Sequence, residues 1–156
     1  VPLWIRRSAP AILWAALIWF FSTRYFSAEA TASWIEPILR AIFPPLSREA
    51  VAAVHYAIRK AAHFTEYFIF GWLLLRALRS EERQWRLRWA LIALAIAACY
   101  ASVDEIHQAF VATRAPSARD SLIDISGAFV AQALAWIRRS KGNGKEEGPL
   151  QDSQRA

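Results

Sequence analysis

The chain has 156 residues, enough for one domain. It is 56% hydrophobic, with eight Trp and five Gly, and its apolar residues fall in blocks separated by short charged stretches, which is a membrane pattern. The net charge of +6 comes from Lys and Arg flanking those blocks; with no interleaved basic and aromatic patch, this excludes nucleic acid and points to anionic lipid headgroups. The single cysteine, Cys99, excludes a disulfide framework or a CxxC site and reads as a small core hydrophobe.

Arg6-Arg7 precedes an apolar run over 9–21, short of the roughly 20 residues of a bilayer span. Trp14, Trp19 and the aromatics after them suit a retained first span. The competing reading is a signal peptide with Ala28-Glu29-Ala30 as its cleavage site. Ser33-Trp34-Ile35-Glu36 has capping-box spacing and predicts a short interfacial helix from Trp34 to Phe43, stopped by Pro44-Pro45. Ser47 then caps a long helix reaching about Leu78.

Arg76, Arg79, Arg83, Arg86 and Arg88 crowd the next connection, where Trp85 and Trp89 are interface anchors. Residues 89–108 read as a third span. Arg114-Ala115-Pro116 makes a turn, and Ser117 caps a fourth helix to about Ile137. The fold class is therefore all-α, a polytopic membrane helical bundle of about four transmembrane helices plus a short interfacial helix. Residues 1–139 form this domain, and 140–156 read as a disordered cytoplasmic tail. The Lys and Arg distribution puts both termini and the 76–88 connection in the cytoplasm of a multi-pass cell-membrane protein. The outer ends of spans two, three and four then share one depth.

Ionisable side chains at bilayer depth are expensive and normally face a bundle interior. On the second span Arg59, His63, Glu66 and Tyr67 fall within one arc, with Lys60 at its edge. Tyr100, Asp104, His107 and Gln108 share a face of the third span, whereas Glu105 points away from Asp104. Asp120, Asp124 and Gly127 share a face of the fourth, and Gly127 with Ala131 predicts a close helix contact. His55, outside the apolar run, reads as a headgroup-level residue.

These residue types admit more than one chemistry. Arg59, Lys60 and Arg114 suit a phosphate, Arg as a planar fork and Lys as a point charge. Tyr67, Glu105, Gln108, Asp120 and Asp124 complete the candidate ligand-binding set. In an enzyme, His63 is the base or nucleophile, Glu66 its orienting partner and Asp104 an acid. Asp104, Asp120, Asp124, His63 and Glu66 are donors a divalent metal accepts, but no HxxxH or HExxH spacing accompanies them. A purely structural reading pairs Arg59 with His63 and Lys60 with Glu66, and makes Asp120 a capping acid. Against it, Arg59, Lys60 and Arg114 face a larger set in Glu66, Asp104, Glu105, Asp120 and Asp124.

The run Ile58-Arg59-Lys60-Ala61-Ala62-His63-Phe64-Thr65-Glu66-Tyr67 resembles the signature helix of the VanZ-like membrane proteins. So does Asp104-Glu105-Ile106-His107-Gln108, followed by Arg114 and the Asp120-xxx-Asp124-xx-Gly127 spacing; Phe20-Phe21-Ser22 closing the first span fits as well. The resemblance covers roughly residues 10 to 137. It implies a small multi-span protein whose family namesake is associated with low-level teicoplanin resistance, and it supplies no settled reaction.

Two functions follow as expectations. In one, the outer polar cleft recognises a phosphate- or sugar-bearing membrane lipid or wall precursor, with an influence on glycopeptide susceptibility. In the other, the chain is an intramembrane hydrolase or transferase acting on lipid-linked phosphate. A proton or ion relay ranks last, since below Tyr67 and Asp124 only Gln132 continues the polar column. The oligomeric state stays open.

Overall fold

A computed structural model describes residues 2–79, 85–110 and 118–143. Five helices follow one another: α1 (Leu3–Phe21), α2 (Ala28–Ile42), α3 (Arg48–Leu78), α4 (Leu87–Ala109) and α5 (Ala118–Asn143), with a 3₁₀ turn at Arg24–Phe26 between the first two. Among the described residues there is no strand.

Several boundaries differ from the sequence reading. The capping box at Ser33 is unused, because α2 opens earlier. Ser27 has the extended backbone of a cap, ψ 164°, and its Oγ accepts the Ala30 N–H at 3.2 Å. Ser33 lies inside the helix and donates to the Ala30 carbonyl at 2.7 Å. Trp34, Ile38 and Ile42 still make an exposed apolar stripe, as an interfacial helix requires. The fifth helix runs to Asn143, past Ile137, where the sequence pattern ended it. Ser117, Arg114 and residues 144–156 lie outside the described residues.

Ser47 caps α3 as expected, accepting from the Ala50 N–H at 3.2 Å. With 31 residues, α3 is about 46 Å long, well beyond a hydrocarbon core of about 30 Å. Its first turns pack on α2 and its remainder enters the bundle. Both α4 and α5 are long and apolar enough to cross a membrane; α1 and α2 qualify together as a pair bent by 71°. His63, Glu66 and Tyr67 dilute the apolar stretch of α3, which does not qualify on that measure.

Side-chain contacts give the helix directions. Lys60 meets Asp120, His63 meets Asp124 and Gly71 meets Gln132, so α3 and α5 run parallel. Ala15 meets Tyr100 and Ser22 meets Gln108, so α1 and α4 are parallel too. Trp14 donating to the Glu66 carbonyl at 2.9 Å belongs to an antiparallel α1–α3 pair, since Ser22 lies by Arg59 at the other end.

The most extensive interface joins α3 and α5 through small residues. A Cβ at Gly71 would stand 2.9 Å from the Cα of Ala128, and one at Gly127 would overlap the carbonyl oxygen of Phe64. Ala128, Ala131 and Ala135 continue the buried stripe. Such close approach is how helices associate where lipid removes the hydrophobic drive. Cys99 is exposed on α4, not in the core as its apolar surroundings suggested. The buried face of α4 is built instead from Ala90, Ala93, Ala97 and Ala101.

Candidate functional site: a cleft beside a buried polar centre

Where α1 ends and α3 and α5 begin, the polar residues form two connected groups. The first lines an open cleft of about 250 Å³ between α1, the 3₁₀ turn, α2 and α3. Arg59, His63 and Glu66 supply its charge, with Ser22 and Thr31; Phe21, Phe26, Ile35 and Ile58 supply its apolar walls.

Arg59 Nη1 donates to the Phe26 carbonyl at 3.0 Å and to Thr31 Oγ1 at 3.2 Å, which fixes the guanidinium plane at the cleft wall. Thr31 is the junction here. Its hydroxyl donates to the Ser27 carbonyl at 2.8 Å and lies 3.0 Å from His55 Nε2. With the hydroxyl proton already committed, His55 Nε2 is the donor of that pair. His55 is therefore buried against α2 and not exposed; α2 covers the part of α3 that periodicity alone left exposed.

The second group is closed to solvent. Tyr67 is 0% exposed, Asp104 1% and Asp124 2%. Gln108 Nε2 donates to Asp104 Oδ2 at 2.8 Å and reaches Ser22 Oγ at 3.3 Å. Tyr67 Oη and Asp104 Oδ1 have no hydrogen-bond partner. Unpaired polar atoms at such depth cost free energy.

His63 links the two groups. It lines the cleft, while its Nδ1 lies 3.4 Å from Asp124 Oδ1 on α5. The sequence reading gave the orienting role to Glu66, the i+3 neighbour on its own helix; the structure adds a carboxylate from another helix. Lys60 pairs across helices with Asp120 instead of along α3 with Glu66, so Asp120 does more than cap. Tyr100 donates to the Ala15 carbonyl at 2.6 Å and serves packing. His107 stacks on Trp19 at 4.0 Å. Glu105 sits half-buried on a different side of α4 from Asp104.

Among the described residues no group of three or more His, Cys, Asp or Glu is arranged to hold a metal ion. Thr31, Phe26 and Ile35 were not recognisable as site residues: they are an ordinary Thr, Phe and Ile in a peripheral segment, and only the fold of α2 onto α3 brings them in.

This is an all-α membrane bundle with a buried polar centre and, beside it, an open cleft. The VanZ/LLP1 family profile matches residues 9–139. The chain belongs to the VanZ/LLP1 family. Neither a curated protein nor a solved structure gives a match.

Proposed function

We propose that this VanZ-like protein is a multi-pass protein of the cell membrane, with both termini cytoplasmic. Its outer cleft binds a lipid or wall precursor carrying a phosphate or sugar headgroup. The alternating helix directions and the Lys and Arg distribution support the topology. The cleft carries the binding reading: aromatic and aliphatic walls face a set of ionisable groups, Arg59, His63 and Glu66, as an amphiphile requires. Arg59 is already oriented by Phe26 and Thr31, so little ordering is lost when it meets an anion.

The test compares a short-chain prenyl phosphate with the corresponding alcohol by binding to purified protein in detergent. The phosphate should bind more tightly. Arg59→Gln should cost about tenfold or more, since a charged hydrogen bond is worth about 1.5–3 kcal/mol. Equal binding of the two probes, or full binding by both Arg59→Gln and His63→Gln, rejects the reading. Sequestering such a precursor would alter the access of lipid-anchored glycopeptides to it. Expression in a susceptible strain should then shift the inhibitory concentration of teicoplanin, and no shift detaches this protein from that role.

One observation favours catalysis as a second reading. His63 faces the cleft with Asp124 behind its Nδ1, the arrangement of a general base held by a buried carboxylate. In this reading the protein hydrolyses or transfers a lipid-linked phosphate. Phosphate release from labelled envelope lipids should vanish in His63→Ala and fall in Asp124→Asn. Release that survives in His63→Ala excludes His63 from the chemistry.

A further inference from the structure

A second groove lies at the opposite end of the α3–α5 interface. It encloses about 200 Å³ and is lined by Phe68, Ile69 and Trp72 of α3 with Leu134 and Arg138 of α5. The Arg138 guanidinium sits 5.2 Å from the centroid of the Trp72 ring. Attraction to an indole face restrains a guanidinium and leaves its edge donors for an anion. Arg76 is exposed one turn past Trp72 and on the same stripe as Ile69, at i+7.

Along the stretches of α3 and α5 that carry this groove, the charged residues are all basic. Between Tyr67 and Arg79 of α3 there is no Asp or Glu, nor is there one between Ile125 and Asn143 of α5. Among the described residues neither Arg76 nor Arg138 has an ion-pair partner. The upper walls are aromatic and aliphatic, so the groove pairs an apolar slot with a cationic rim.

We infer that this groove binds an anionic phospholipid from the leaflet at the α3–α4 connection. The phosphate lies against Arg138 and Arg76, and an acyl chain runs along Phe68, Ile69 and Leu134. A soluble anion would use the rim and gain nothing from the slot; a zwitterionic lipid would use the slot but bring a cation to a rim already positive. The site is separate from the outer cleft and does not depend on what the cleft binds.

The experiment uses the full chain reconstituted with spin-labelled phosphatidylglycerol or phosphatidylcholine at low salt. Phosphatidylglycerol should associate preferentially, and each guanidinium should contribute about fivefold, the equivalent of about 1 kcal/mol per basic side chain at a membrane surface. Arg76→Gln/Arg138→Gln should abolish the preference. Arg138→Lys should retain part of it, because charge remains while the planar fork is lost.

A photoreactive phosphatidylglycerol should label peptides containing Trp72 and Leu134 in the unaltered protein, which keeps the test valid if the double variant folds poorly. Equal association of the two lipids, a preference surviving the double substitution, or labelling confined to other helices overturns the assignment. His63→Gln should leave the preference intact while it weakens binding in the outer cleft, so the two sites fail or stand separately.

Discussion

Two tyrosines face the core of the bundle, and their hydroxyls have opposite circumstances. Tyr100 donates to the Ala15 carbonyl at 2.6 Å, whereas Tyr67 Oη is buried without a partner. Removing a made hydrogen bond costs about 0.5–1.5 kcal/mol, while removing an unsatisfied hydroxyl relieves a desolvation penalty. Tyr100→Phe should therefore lower the unfolding midpoint in detergent, and Tyr67→Phe should leave it unchanged or raise it. If Tyr67→Phe at the same time abolishes ligand binding, its hydroxyl is kept for use and not for stability. An equal loss of stability in both variants contradicts this account.

Helical geometry alone put Arg59, His63, Glu66 and Tyr67 on one arc, and that much was legible. It did not tell which neighbour stands at each angle. In the structure Arg59 and Glu66 line the cleft toward α1 and α2, Tyr67 turns inward, and His63 touches both regions. An arc on a helix has room for two partners, and a single sequence holds no information on which helix supplies them. The same gap hid Asp124 as the partner of His63.

Among the helices, the α3–α5 crossing is the most demanding contact. A side chain at Gly127 meets backbone, the Phe64 carbonyl, which cannot rotate away. Gly127→Ala should destabilise by about 1–3 kcal/mol, as overpacking does, read from thermal unfolding in detergent. Gly71→Ala, with its nearest contact at 2.9 Å, should cost less.

The helix caps make a comparable pair. Ser27→Ala should destabilise by about 1 kcal/mol, and Ser33→Ala should have little effect, because only Ser27 accepts from a free helix N–H. The four-residue cap pattern at Ser33 was chemically sound. It lost to Ser27 because Ser27 follows the 3₁₀ turn, where the chain is already extended, and that turn left no mark in the hydrophobic pattern.

For the whole molecule, apolar blocks and basic connections were enough to read an all-α bundle, because both follow from the cost of placing backbone and charge in lipid. The parallel pairing of α3 with α5 and of α1 with α4 agrees with the proposed alternating passage. Cysteine pairs on a Cys99→Ala background test it. Residues 63 and 124 should cross-link, as should 15 and 100, whereas 63 with 138 should not. A single cysteine at Ser33 should react with a membrane-impermeant reagent added outside, and one at Ser80 only after permeabilisation; the reverse pattern inverts the proposed topology.

Trp14, Tyr100 and Gln108 anchor α1 through bonds to partners 52, 85 and 86 positions away in the chain. Every one of these partners lies on a helix that follows α1 in the chain. The Trp14 indole and the Ala15 carbonyl therefore lack these partners until α3 and then α4 have been made. α1 is thus secured in two stages, so slowing translation after Leu78 should lengthen the interval in which it lacks its α4 contacts and is open to quality-control proteases.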